Sequence, residues 1–167
     1  MCCYMSAISM IDQDRLSSPE ESAAVNTNFR TAVVHVCTSC RARGTQREPK
    51  ENRAGFKLYE NLRRLLNESP LAPYVEVKPA ECLSLCPRPC GIALSSKGAW
   101  SYLFADQDSE ASVDEIVKCM SLYLSTKEGF MPRERRPGLL RASVVGRIPP
   151  QGGLSVNDNA LLKTNTQ

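Results

Sequence analysis

The spacing of apolar and polar positions changes several times along the chain, and each change predicts an element. Thr31-Ala32-Val33-Val34-His35-Val36 is a short, mostly β-branched run and predicts a buried first strand over 31–36. From Ala54 to Asn67, Leu58, Leu62, Leu65 and Leu66 recur at helical spacing while Arg63 and Arg64 face away, which predicts a helix stopped at Ser69-Pro70. Tyr74-Val75-Glu76-Val77-Lys78 alternates and predicts a second strand, ended by Pro79. Residues 91–94 read as a third strand. Lys97-Gly98 then turns the chain into Trp100-Ser101-Tyr102-Leu103-Phe104, a fourth strand whose aromatics share one face. Ser112-Val113-Asp114-Glu115 has the form of a capping box. It opens a helix with Val113, Ile116, Val117, Met120 and Leu124 on the core face and Cys119 on its flank.

The flanks lack such periods. Residues 1–29 are polar around Ser17-Ser18-Pro19-Glu20 and read as a disordered leader, with Cys2 and Cys3 as incidental exposed thiols. Residues 30–128 form the predicted domain. Residues 129–150 are basic with apolar spacing. This arm, from Arg133 to Arg147, reads equally well as a docking element for an acidic partner and as an extension wrapping its own domain. Residues 151–167 are polar, patternless and expected to be disordered.

Composition narrows the function. A chain of 167 residues with 42% hydrophobic positions supports one domain of ordinary size. The net charge of +3 gives no argument for nucleic acid. No run of 18 apolar residues occurs, and the start lacks a secretory pattern, so a cytoplasmic, membrane-free protein is expected. In such a reducing compartment, clustered thiols serve metal binding or redox chemistry.

There are eight cysteines and one histidine. Cys37 and Cys40 directly follow the first strand, and Cys82, Cys86 and Cys90 stand four positions apart in a loop stiffened by Pro87 and Pro89. His35 lies inside a strand pattern. A lone histidine excludes a Rieske centre and a Cys₂His₂ finger. Thiolates suit iron–sulfur clusters and zinc. Zinc ribbons pair two Cys-x₂-Cys knuckles, whereas only Cys37/Cys40 has that spacing here. An iron–sulfur cluster is therefore the first reading, and structural or trafficked zinc the second. A third is thiol–disulfide chemistry at Cys37/Cys40, against which the helix begins well after Cys40. Thr38, Ser39 and Ser84 are candidate donors to the sulfurs, and Arg41 and Arg88 candidate counter-charges. No catalytic triad can be assembled and no Gly-rich phosphate loop is present, so no enzymatic activity is expected.

Val36-Cys37-Thr38 with its basic, Gly-containing continuation, followed by Glu81-Cys82-Leu83-Ser84-Leu85-Cys86 before a strand hairpin, resembles the thioredoxin-like [2Fe-2S] ferredoxins. These include the small peripheral subunit of respiratory complex I and of related hydrogenases. Four further features resemble a bacterial family described as predicted metal-binding proteins, some linked to cobalamin or metal-handling genes. They are Cys37-Thr38-Ser39-Cys40-Arg41, the run from Glu81 to Cys90 with Pro89, the aromatic strand after Gly98, and the tail from Arg133 to Pro150. The resemblance spans about residues 31–150. It implies an α/β, thioredoxin-like fold with a central sheet of about four strands. It implies a [2Fe-2S] cluster on Cys37, Cys40, Cys82 and Cys86, with Cys90 as a substitute ligand and zinc as the alternative metal. It also implies an electron carrier or accessory protein in metal- or cobalamin-related metabolism, serving a protein redox or metal-handling partner. The ferredoxins separate their first two cysteines by four or more residues, where this chain has two, so the ligand set and the cluster type stay open. Oligomeric state is not legible.

Overall fold

The computed structural model describes residues 30–151 apart from 42, 43 and 47. In chain order the main elements are β1 (Ala32–Cys37), α1 (Ala54–Asn67), β2 (Val75–Ala80), β3 (Ile92–Ser95), β4 (Ser101–Phe104), α2 (Val113–Ser125), α3 (Gly138–Ala142) and β5 (Val144–Ile148). The sheet order is β2-β1-β3-β4-β5. β1 and β2 are parallel, joined through α1, and the other three pairings are antiparallel. A βαβ unit followed by an antiparallel hairpin and a helix, with the first strand inside the sheet, is the thioredoxin-like arrangement.

Burial follows the predicted periods. Ala32, Val34 and Val36 of β1, Ile92 and Leu94 of β3, and Tyr102 and Phe104 of β4 are buried, while the residues between them are half-buried. This alternation is that of a sheet with one covered face. α1 lays Leu58, Leu62 and Leu66 into the same core. Each such leucine removed from water contributes roughly 1.5–3 kcal/mol.

Several expectations are corrected. The sheet has five strands, because the C-terminal arm supplies β5; Gly146 and Arg147 interrupt its alternation and hid it. Pro79 does not end β2 but lies inside it, opposite Val36. β2 is an edge strand, where a missing N–H costs no ladder bond if it faces outward. The capping box is not formed. Ser112 is already in the helical region (φ −85, ψ −14) and its Oγ accepts from the N–H of Asp108, while Glu115 pairs with Lys118. The α2 core face is rotated from the expected one. Cys119 and Tyr123 are fully buried with Ile116 and Met120, and Val117 and Leu124 are half-buried. Tyr123 is drawn inward by donating its hydroxyl to Trp100 O at 2.8 Å.

No described helix is long and apolar enough to cross a membrane.

Candidate metal centre

The thiols gather at one end of the sheet. β1 delivers Cys37 there, opposite Ala80 of β2. On its other side the Cys37 N–H donates to Gly91 O at 3.0 Å. Cys90, one residue before Gly91, therefore meets Cys37 and Cys40 although some fifty positions separate them in sequence. The chain turns at residues 38 and 39, which brings Cys40 back under β1, and the Cys40 carbonyl accepts from the N–H of Gly55 at 3.0 Å. Glycine is required at 55: a Cβ there would collide with the carbonyl oxygen of Cys37 and lie 3.0 Å from Cys40 Cβ. The start of α1 thus closes on the Cys37–Cys40 turn. This corrects the expectation that the helix begins too far away: fourteen positions on in sequence, Ala54 opens α1 beside Cys40.

Cys37, Cys40 and Cys90 are buried together and shift one another's titration, and Cys37 Sγ donates to Glu81 O at 3.9 Å. The Cys40 thiol beside it, with burial, raises the Cys37 pKa. At Cys40 the Cys37 thiol lowers the pKa, but the Cys90 thiol and burial outweigh that and raise it. Cys90 is lowered by the Cys40 thiol against the opposing effects of burial and of the charges at Cys37 and Asp108. Of the three, Cys90 is the one shifted toward ionisation.

Backbone amides surround these sulfurs. The N–H groups of Leu83 and Ser39 donate to Cys37, and that of Gly91 to Cys40. The N–H of Ser84, a residue at φ 57, donates back to Cys82 Sγ at 3.3 Å. Of the expected hydroxyl donors, Thr38 acts otherwise: its Oγ1 donates to Ala80 O at 3.1 Å. Amide N–H groups aimed at sulfur are the contacts that hold thiolates and tune thiolate-bound metal.

Cys82 and Cys86 are exposed. They sit on the outer lobe of the loop, where Leu85 packs against Gly91. Cys86 and Cys40 line one open cavity of about 510 Å³, with Ser39, Arg41, Pro87 and Pro89 around it. The inner end of the loop is fastened. Cys90 and Gln107 exchange backbone hydrogen bonds in both directions, at 3.3 and 3.1 Å. Arg88 Nη2 approaches Asp106 Oδ2 at 2.7 Å, and the Asp106 N–H donates to Arg88 O. Arg88 is therefore neutralised by Asp106 rather than held as a free counter-charge. Arg41 is exposed and borders both the cavity and a second recess beside Cys90.

The five expected thiols thus fall into an assembled inner group (Cys37, Cys40, Cys90) and an outer pair (Cys82, Cys86). Among the described residues, no three Cys, His, Asp or Glu side chains are already disposed around a point that could hold a metal ion. The donor set nonetheless fits a thiolate-bound metal group in chemistry: at least four sulfurs, N–H donors on three of them, and an open cavity between Cys40 and Cys86. His35 stands mid-strand in β1 opposite Lys78 and Ala93, and Cys119 lies in the core against Met131. Sequence reasoning missed Gln107, whose role is carried by its backbone, and Gly55, whose only signal is a glycine in the first turn of a good helix.

The model of the family described as "Protein of unknown function (DUF1636)" matches residues 34–150, and the chain belongs to this family. No curated protein sequence matches it significantly. Among solved structures, a thioredoxin-like [2Fe-2S] ferredoxin from Aquifex aeolicus is similar at 21% identity and a TM-score of 0.48, over 74% of this chain and 98% of that one. A crystal structure of the wild-type Aquifex aeolicus ferredoxin gives 19% identity and a TM-score of 0.46, over 70% and 98%.

Proposed function

We propose that this member of the family is an iron–sulfur protein, with a [2Fe-2S] cluster held by Cys37, Cys40, Cys82 and Cys86. It would serve as an electron carrier or accessory protein in metal- or cobalamin-related metabolism rather than as an enzyme. The observation that carries this reading is the buried inner thiol group with the amides of Ser39, Leu83 and Gly91 at its sulfurs, beside the cavity that Cys40 shares with Cys86. A cluster of this kind supplies one-electron chemistry at a potential set by its surroundings. The chain's own residues account for the rest. β1 and the Gly55 contact fix Cys37 and Cys40 before any metal arrives. The N–H groups stabilise thiolate charge in a buried place, where it would otherwise be disfavoured. The outer lobe offers Cys82 and Cys86 at the surface, where a cluster can be loaded from solvent or from a donor protein. The Cys90–Gln107 bridge keeps a fifth thiol beside Cys40, available as a replacement ligand.

The test is iron, zinc and acid-labile sulfide content, with a visible spectrum, on anaerobically purified protein. Iron and sulfide at about two per chain, with absorption that bleaches on reduction, is the expected result. One zinc per chain without colour or sulfide would leave the fold intact and remove the electron-transfer role. No metal under any loading condition would move the assignment to thiol redox chemistry at Cys37 and Cys40.

A further inference from the structure

The two edges of the sheet are built differently. β2 carries Pro79 and an exposed Lys78–Glu76 ion pair at 3.0 Å, the kind of sequence that discourages strand addition. β5, at the other edge, has no proline, and its Val145 (42% exposed) and Ile148 (53%) reach solvent. Arg147, an irregularity in the pairing with β4 at Leu103/Phe104 and the following Pro149-Pro150 limit this edge, but its five residues are free of proline and partly apolar, and such an edge strand can template another strand.

The charge beside β5 is equally one-sided. Residues 129–150 hold five arginines and one glutamate, a net +4, while the whole chain is +3, so the remaining residues sum to −1. Arg136 is spent internally. It is buried, donates to Met131 O at 3.0 and 2.8 Å, and lies over the Tyr102 ring. Arg133, Arg135, Arg141 and Arg147 are exposed. Among the described residues none of these four is in an ion pair. Arg133 and Arg141 donate to backbone carbonyls, which positions them and leaves their charge unneutralised. Arg147 stacks on Trp100 and Phe130 at 5.3 and 5.4 Å. The strip is also continuous with the thiol end of the sheet: Val144 pairs with Phe104, Phe104 with Ile92, and Ile92 with Val36, next to Cys37.

We infer that β5 and its arginines are the docking surface for an acidic, extended segment of a partner protein, which adds to the sheet as a sixth strand. Main-chain bonds along β5 would give affinity, Val145 and Ile148 apolar contact, and the arginines the choice of an acidic partner over others. A second copy of this chain is disfavoured because it would bring two +4 arms together. The inference does not depend on what the thiols hold.

The test uses the full chain and a dye-labelled short peptide alternating glutamate and valine, with its lysine counterpart as control. Binding is read by anisotropy and by the emission of Trp100, the single tryptophan, which Arg147 covers. Expected are binding of the glutamate peptide, a change in Trp100 emission, and a loss of at least roughly tenfold in affinity between low and high salt, with no binding of the lysine peptide. Arg135 is exposed and in no ion pair among the described residues, so Arg135→Glu should weaken binding about tenfold, while Arg135→Lys should restore most of it. Equal binding of both peptides, or binding indifferent to Arg135→Glu, would overturn the inference. So would a concentration-dependent dimer abolished by Val145→Lys, which would assign the edge to self-association. Binding seen only after Asp12, Asp14, Glu20 and Glu21 are neutralised would equally overturn it, by assigning the surface to the chain's own N-terminal segment.

Discussion

Cys86 and Cys90 stand four residues apart in one loop, yet one is exposed and the other buried. The difference comes from what each half of the loop is tied to. The half at Cys90 is clamped by the two-way bridge to Gln107 and by the Arg88–Asp106 pair, and its thiol is buried beside Cys40. The half at Cys82 and Cys86 is tied more lightly: Glu81 O accepts from Cys37 Sγ at 3.9 Å and Leu83 packs on the core, while the Ser84 N–H on Cys82 and the packing of Leu85 on Gly91 are local. One half is therefore pre-formed by the fold and the other is left adjustable. Under the metal-binding role proposed above, each half would have its own use. Rigid inner thiols lower the ordering entropy lost on binding, and outer thiols at the surface give access.

The largest expected blow to this contrast comes from Gly55→Ala. The new Cβ collides with the Cys37 carbonyl, so either the start of α1 or the Cys37–Cys40 turn must move. A loss of roughly 3 kcal/mol or more is expected in urea unfolding, with Cys37 and Cys40 becoming alkylatable in the folded chain. A wild-type-like midpoint would mean the inner thiols are not held by this contact.

Single alanine replacements compare the halves directly. In metal-free protein, Cys40→Ala should cost about 1–3 kcal/mol, because it opens the buried thiol group, whereas Cys82→Ala should stay within about 0.5 kcal/mol. Brief alkylation with mass mapping should label Cys82 and Cys86 well before Cys37, Cys40 and Cys90. Equal costs, or labelling at equal rates, would erase the distinction.

A third environment sharpens it. Cys119 is buried without thiol neighbours, and burial pushes its pKa from 9.0 up to about 12; burial likewise raises Tyr123 from 10.0 to about 12. Both groups keep their proton in the folded chain at pH values where the unfolded chain has lost it. Their contribution is present in full below the unfolded pKa and declines as pH rises through the folded one. Stability should therefore fall between about pH 9 and 12, by about 1.4 kcal/mol per pH unit and group at most. Cys119→Ala should flatten the lower part of that slope, and an unchanged slope would assign the loss elsewhere.

The smallest effect is expected at the loop tie. Arg88 and Asp106 are about 40% exposed, so Asp106→Asn should cost only about 0.2–1 kcal/mol. Hydrogen exchange should nevertheless quicken around Cys90 if the pair helps to clamp that half. A change of exchange confined to Cys82 would reverse the assignment of which half is tied.

Much of this was legible in the sequence. The leucines at 58, 62 and 66 fixed α1 at its observed ends, and the alternating aromatics at 102 and 104 marked β4 as core. The two cysteine groups announced a thiol site, because soft ligands cluster only where they are used together. The misses have two causes. The capping box failed because Ser112 is turned by the preceding residues 108–111, and β5 was hidden because an edge strand with Gly146 and Arg147 has no clean alternation. In the first a turn just upstream overrode the motif, and in the second pairing with β4 made a strand that the local pattern did not show.

The sequence by itself determined the element types, the βαβ order and the supply of five thiols in two groups, since these follow from residue spacing and from the chemistry of side chains. Only the tertiary structure decided which thiols meet. Cys90 joined Cys37 and Cys40 because the register of β1 against β3 and the backbone bridge to Gln107 place it there, and backbone hydrogen bonding leaves no mark on side-chain identity.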